Sequence, residues 1–216
     1  MLNLNAKLFP TIKAIRDPRC GVPDIIRNRT SNGTMGTVHS HNYGIFHLVA
    51  GYSFFPGYPK WTRYQLTHNF LPGVQLFGVQ ELSPMIARAF QKWAAVSPFR
   101  FQQVAQGSRD DISIGFYRYD HGDGYPFDGP LGNVIAHAFA LEDGRFHYDA
   151  DENWSFNPAA NQMDLESVAV HEIGHNLGLD HSWDQNAVMY PTIQLGTTKT
   201  NLGQEDINGL RALYSY

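Results

Sequence analysis

The chain has few of the features that mark out most functional classes. Its 216 residues include one cysteine, Cys20, so no disulfide can form within the chain. Taken alone, a single cysteine is a small buried hydrophobe or an incidental thiol. No apolar run approaches the length that spans a membrane. Met1–Asn5 leads into no apolar core of a signal peptide, so the leader of a secreted protein would have to lie outside this sequence. The formal net charge of -4 gives no reason to expect nucleic acid as a partner. Internal repeats and low-complexity tracts are missing as well. Three N-x-S/T triplets, starting at Asn28, Asn32 and Asn153, support secretion only weakly.

Hydrophobic residues make up 43% of the chain and charged residues 17%, which suits one domain with a substantial core and a small appendage. Residues 1–51 read as the appendage. Thr11–Arg16 is predicted as a short helix stopped by Asp17-Pro18, and Arg27–Gly51 has the polar, glycine-bearing composition of a linker. Residues 52–216 read as the compact domain. Strands are predicted at Tyr64–Leu71, Phe99–Val104, Ile112–Tyr117, Val134–Phe139 and Arg145–Tyr148. A first helix is predicted to start with Ser83 as cap and Pro84 as its first residue, and to stop at Ser97-Pro98. Two more are expected at Asp164–Leu177 and Gln204–Tyr214. Five strands and three helices make an α+β domain.

The segment His171–His181 carries the most chemical information. His171 and His175 are four residues apart, so on a helix both imidazoles can reach one cation. Glu172 can sit beside that cation and take a proton from a water. On a continuous helix His181 would lie roughly 240° further round, on the wrong face. The helix must therefore break, and Gly178 suits the left-handed turn that breaks it. Three histidine ligands leave a coordination position open, as in catalytic zinc sites. An amphipathic helix with chance histidines would not account for Gly178, His181 and the Met-turn-like Val188-Met189-Tyr190-Pro191 together.

A second set lies upstream. His121, Asp123, His137 and His147 form a closed four-ligand group suited to structural zinc. Asp128, Asp149 and Glu152, with carbonyls of the glycine-rich loop, form an oxygen-rich group suited to calcium. A solvated acidic loop with surface histidines is the plainer alternative. His39, His41, His47 and His68 show no partner pattern and read as surface or linker residues.

Taken with Leu202–Leu210 and with Pro18-Arg19-Cys20-Gly21-Val22-Pro23-Asp24, these segments resemble the matrix metalloproteinases, the matrixin branch of the metzincins. The resemblance implies a zincin-like domain: a twisted five-stranded mixed sheet, three helices, and an active-site cleft beside the edge strand. It implies a cysteine switch, in which Cys20 occupies the fourth position on the catalytic zinc while Arg19 and Asp24 pair. It implies Gly129, Leu131 and Asn133 as further calcium ligands, Met189 as a floor beneath the zinc, and Ala138, Ser167 and Pro191 as substrate-binding residues. Residues 1–51 then resemble the end of a propeptide, and the layout, with Tyr52–Trp61, looks most like plant matrixins without a hemopexin domain. Asp111 matches one ligand of a second calcium, but Arg145 and Ala150 stand where others would be expected, so one calcium is predicted. Asp180, beside His181, either orients that ligand or faces solvent, and solvent is the favoured expectation.

The resulting expectation is a monomeric, secreted, latent zinc endopeptidase. It would need one catalytic zinc, one structural zinc and at least one calcium, and its own propeptide would inhibit it. Extended peptide would lie along the edge strand containing Ala138, in front of an open pocket beside Ser167. The alternative is a non-catalytic zinc/calcium module that binds peptides, for which Glu172 would have no use.

Overall fold

The computed structural model describes residues 19–21, 51–130 and 132–216. The predicted helix at Thr11–Arg16, the linker histidines, the Arg19–Asp24 pairing and Leu131 fall outside the residues or side chains described.

The strands are β1 (Arg19–Cys20), β2 (Gln65–Phe70), β3 (Arg100–Gln103), β4 (Ile112–Tyr117), β5 (Val134–Ala138) and β6 (Arg145–Asp149), in spatial order β1-β5-β6-β4-β2-β3. The compact domain thus supplies the five expected strands, and Arg19–Cys20 adds a sixth at the edge. Only β5 runs antiparallel to its neighbour β6; the other pairings are parallel. A two-stranded sheet, β7 (Trp154–Ser155) and β8 (Met163–Asp164), was not anticipated. The helices are α1 (Val79–Ala94), α2 (Leu165–Asn176) and α3 (Gln204–Tyr214). No helix among the described residues is long and apolar enough to cross a membrane.

Helix α1 buries Leu82, Met85, Ile86, Ala89, Phe90 and Trp93, a stripe at helical spacing. It starts before the predicted Ser83-Pro84, because Glu81 closes an earlier turn. The Glu81 carboxylate accepts the Gly78 N–H at 2.8 Å, while the Glu81 and Leu82 N–H groups reach back to the Gly78 carbonyl. Pro84 sits inside the helix, where it withholds the N–H that would otherwise reach the Gln80 carbonyl. Trp93 is fully buried, and its indole N–H donates to the Val170 carbonyl at 2.8 Å, locking α1 to α2.

His68 corrects the sequence reading. It alternates with Leu66 and Phe70 on the inner face of β2, is 4% exposed, and stacks on Phe90 at 4.4 Å. Its position in the strand, and not its polarity, put it in the core.

Candidate active site

Helix α2 is buried almost all round, so its boundaries come from its caps. At the start, the Asp164 carboxylate accepts the Ser167 N–H at 2.9 Å. At the end, Gly178 takes φ +96°, and a side chain there would strike the Pro59 carbonyl. Gly174 lies between the two helical histidines, where any Cβ would run into the Met189 sulfur. Beyond Gly178 the chain is held by the segment after Gly51. Asp180 N–H donates to the Ser53 carbonyl at 3.0 Å, and Ser53 Oγ–H donates to the His181 carbonyl at 2.6 Å. The break thus delivers His181 to the face of the helix that bears His171 and His175.

His171 Nδ1 faces the Val188 carbonyl at 2.7 Å, and His175 Nδ1 faces the Leu179 carbonyl at 2.8 Å. Carbonyl oxygens only accept, so both Nδ1 atoms carry the proton and both Nε2 atoms present lone pairs. Those two Nε2 atoms lie 3.0 Å apart. Two lone pairs at that distance repel unless a cation sits between them, which is the arrangement of metal-bound histidines. Cys20 Sγ is 3.4 Å from His175 Nε2, and one ligand atom from each of Cys20, His171, His175 and His181 falls within 4.8 Å of the others. Burial pushes His171 down to about 3 and His175 well below the usual imidazole value, so both are neutral at physiological pH, as metal ligation requires. Burial also pushes the Glu172 carboxyl up to about 8, against a smaller opposing effect of Cys20. A dication in the cluster would drive that group back toward its anion.

Met189 is buried beside Gly174 on the Val188–Pro191 turn. The turn is pinned by Asp206, whose carboxylate accepts the Val188, Met189 and Gly203 N–H groups at 2.9, 3.0 and 2.7 Å. Nothing in the sequence pattern assigns Asp206 this contact. Its one signal in the sequence is an acid in the first turn of the last helix, where the dipole favours anions.

The cleft runs between β5 and the Pro191 segment, and residues 19–21 lie in it. Cys20 N–H donates to the Pro191 carbonyl at 3.0 Å, and Gly21 N–H donates to the Ala136 carbonyl at 2.7 Å. Ala138 ends β5, buried. Beneath Cys20 is a narrow recess of about 20 Å³, room for about one water, with Ile135, Val168, Ile193, Ser167, Pro191 and Lys199 in its walls. Ser167 and Pro191 therefore meet as expected, but Ser167 is not simply small. Its hydroxyl donates to Asp164 at 2.5 Å and accepts the Lys199 N–H at 2.6 Å.

The second zinc set also comes together. His137 and His147 are directly paired across β5 and β6, and the loop brings in His121 and Asp123. One Asp123 oxygen lies 2.7 Å from His137 Nε2, 2.8 Å from His121 Nε2 and 2.9 Å from His147 Nδ1. Burial opposes the Asp123 charge, yet the Tyr125 N–H and His137 hold that carboxyl down to about 2; burial lowers His147 to about 4.

The oxygen-rich set is looser and is not among the tight ligand clusters. Asp128 accepts the Asn133 and Val134 N–H groups at 2.7 and 3.1 Å. Asp149 is fully buried; burial and then Asp128 raise it to about 6, while the Gly129 N–H opposes that. Glu152 follows on the turn after β6, its N–H 3.4 Å from the Asp149 carbonyl. Asp111 is engaged by Arg63 and by the Thr67 N–H and hydroxyl, and Arg145 pairs with Asp143. Asp180 corrects a further expectation: it is buried, and its carboxylate accepts the His181 N–H at 2.7 Å.

A mixed sheet, a buried helix with a histidine cluster and an adjacent carboxylate, and a cleft at the sheet edge define a zincin-type zinc metalloendopeptidase. A family model described as Matrixin matches residues 60–215. Metalloendoproteinase 1 of Glycine max is 45% identical over 222 residues, covering 99% of this chain and 68% of the relative. Metalloendoproteinase 2-MMP of Arabidopsis thaliana is 45% identical over 227 residues, covering 99% and 59%. Neutrophil collagenase of Homo sapiens is 40% identical over 208 residues, covering 94% and 38%. The chain belongs to the matrixin family, as a plant-type matrix metalloproteinase.

Proposed function

We propose that the protein is a latent, secreted endopeptidase whose residues 1–51 are an inhibitory propeptide and whose residues 52–216 are the catalytic domain. The observation that carries this reading is the pair of facing Nε2 lone pairs of His171 and His175, with Cys20 Sγ beside them. His171, His175 and His181 would hold the catalytic zinc, with Cys20 in the fourth position. When bound there, zinc supplies Lewis acidity toward a water and the substrate carbonyl. Glu172, next to the first ligand, accepts the water's proton and passes it to the departing amine. Extended peptide would pair with the main chain of β5, with Ala138 near the scissile amide. Its next side chain would enter the recess beside Ser167 and Pro191. His121, Asp123, His137 and His147 would hold a structural zinc. Asp128, Gly129, Leu131, Asn133, Asp149 and Glu152 would hold calcium.

Latency follows from competition for one place. A thiolate among the three histidines is a strong zinc ligand and occupies the position that water needs. Removing the Cys20 segment frees that position and also uncovers the edge of β5.

The test is cleavage of a quenched peptide by the full chain before and after treatment with trypsin or an organomercurial, with and without 1,10-phenanthroline. Chelator-sensitive cleavage that appears only after treatment is expected. No chelator-sensitive cleavage, with Glu172→Ala indistinguishable from wild type, would overturn the reading and favour a binding module.

A further inference from the structure

Away from the histidine cluster, the segment leading into α1 meets the turn after β7 in an apolar patch. The Phe77 ring is half-buried, meets Phe156 edge-on at 5.0 Å and lies 6.1 Å from Phe116 beneath it. Phe156 is exposed, as are Leu76 and Val79, which flank Phe77 in the chain. None of these residues belongs to the recess or to the two ligand clusters. A lone apolar side chain on a surface needs no explanation, but a group of them marks a surface that something covers.

Asn153 stands three residues before Phe156, so the two Cα atoms are at most about 11 Å apart. It opens the triplet Asn153-Trp154-Ser155, the acceptor pattern for an N-linked glycan. The fold presents the triplet with its acceptor outward. Trp154 takes the buried side, its indole N–H donating to the Asp149 carbonyl at 2.6 Å, while Asn153 is exposed. The Asn153 carbonyl accepts the Met163 N–H at 2.8 Å, and the side-chain amide donates to the Asn161 carbonyl at 3.1 Å. That amide nitrogen carries two hydrogens, and one of them satisfies this bond. A sugar in place of the other leaves the bond to Asn161 intact. The two other acceptor triplets, at Asn28 and Asn32, lie within residues 1–51, so Asn153 starts the only one in residues 52–216.

We propose that Asn153 is an N-glycosylation site and that the inner sugars of its glycan cover the Phe77–Phe156 patch. The donor is a polyprenyl-diphosphate-linked oligosaccharide. Asn153 Nδ2 bonds to the C1 carbon of the first sugar, the C1–O bond to the diphosphate breaks, the lipid diphosphate leaves, and the amide gives up one proton. Nothing is oxidised or reduced. Folding then sets the glycan beside the patch. The C–H face of a sugar packs on aromatic rings while its hydroxyls face water, so the glycan makes an apolar surface soluble. The inference rests on the reading that the protein is secreted.

The test expresses the full chain behind a heterologous secretory leader in cultured eukaryotic cells and recovers it from the medium. Treatment with peptide N-glycosidase F in oxygen-18 water should leave a labelled aspartate in place of Asn153, read by mass spectrometry of that peptide, and Ser155→Ala should abolish the label. An unmodified Asn153 in the secreted chain overturns the site. Coverage is read on the folded protein with the dye bis-ANS. Removing the glycan should raise the fluorescence, and the rise should shrink in Phe156→Ser, whose side chain is exposed and which should therefore fold. Equal fluorescence before and after removal overturns the covering of the patch. Native protein found only inside the cells that make it sinks the secretion reading instead, whatever the leader-directed chain carries.

Discussion

Asp206 accepts the backbone N–H of Met189 at 3.0 Å, so the first turn of α3 and the turn under the histidine cluster form one unit. The same carboxylate holds the Val188 N–H, and the Val188 carbonyl in turn orients His171. Asp206→Ala leaves three inward-facing N–H groups without their acceptor. At about 1–3 kcal/mol for each buried donor left unmet, a loss of about 3 kcal/mol or more is expected. Denaturant melts check this. A chromogenic chelator should also draw zinc from the variant faster, and equal release rates would show that the turn does not support the ligand.

Replacing Cys20 separates inhibition from folding. Cys20 is buried and contributes one sulfur to the ligand cluster, but its two-residue strand β1 only extends the edge of a sheet whose other five strands come from residues 65–149. Cys20→Ser should give an uncleaved chain that hydrolyses the quenched peptide with a melting temperature close to wild type. Intact mass confirms that residues 1–51 remain attached. A variant as silent as wild type would mean that occupation of the cleft by the chain, and not the sulfur, imposes latency.

Glu172 should matter to the reaction and not to the fold. It is fully buried, and burial already opposes its charge, so Glu172→Gln removes a group that the apo fold does not need ionised. Activity should fall by about 10²- to 10⁴-fold, the usual contribution of a general base. Zinc content, measured by atomic absorption, should not change. Loss of zinc together with activity would point to a role in ligation.

His68 gives the domain a defined sensitivity to acid. Burial lowers its pKa from 6.5 to about 4, so the unfolded chain binds the proton more tightly than the folded one. Its neutral form favours folding fully above pH 6.5, and that stability is lost as pH falls toward 4. Between pH 7 and pH 5 the loss is about 2 kcal/mol. His68→Phe should flatten this part of the urea-midpoint profile, since the ring already stacks on Phe90 and Phe can fill the same place. An unchanged acid slope would assign the loss to other groups.

Much of this was legible in the chain because the periodicities are short. His171 and His175 announce a shared helical face. His137 and His147 each lie on a short strand with glycine just before it, Gly132 and Gly144, and β4 and α3 fall where the pattern puts them. The start of α1 was misplaced because Ser83-Pro84 is a strong local start signal, and only the Glu81 side chain bonding back to Gly78 reveals the earlier turn. His68 and Asp180 were misjudged for another reason. Polar residues are usually exposed, and what packs on these two is helix α1 and the irregular segment at Ser53, both distant in sequence.

The sequence by itself determined the kind of chemistry: ligand types, their spacing, the glycine that breaks the helix, and a family motif around Cys20. These depend on contacts within a turn or two, where side-chain identity and backbone geometry are tightly linked. Tertiary structure alone decided that Cys20 Sγ reaches His175, that Asp206 carries the Met189 turn, and that the Lys199 ammonium meets the Gln185 carbonyl. Each joins segments from 14 to 155 residues apart, and which distant groups meet is set by how the helices pack on the sheet.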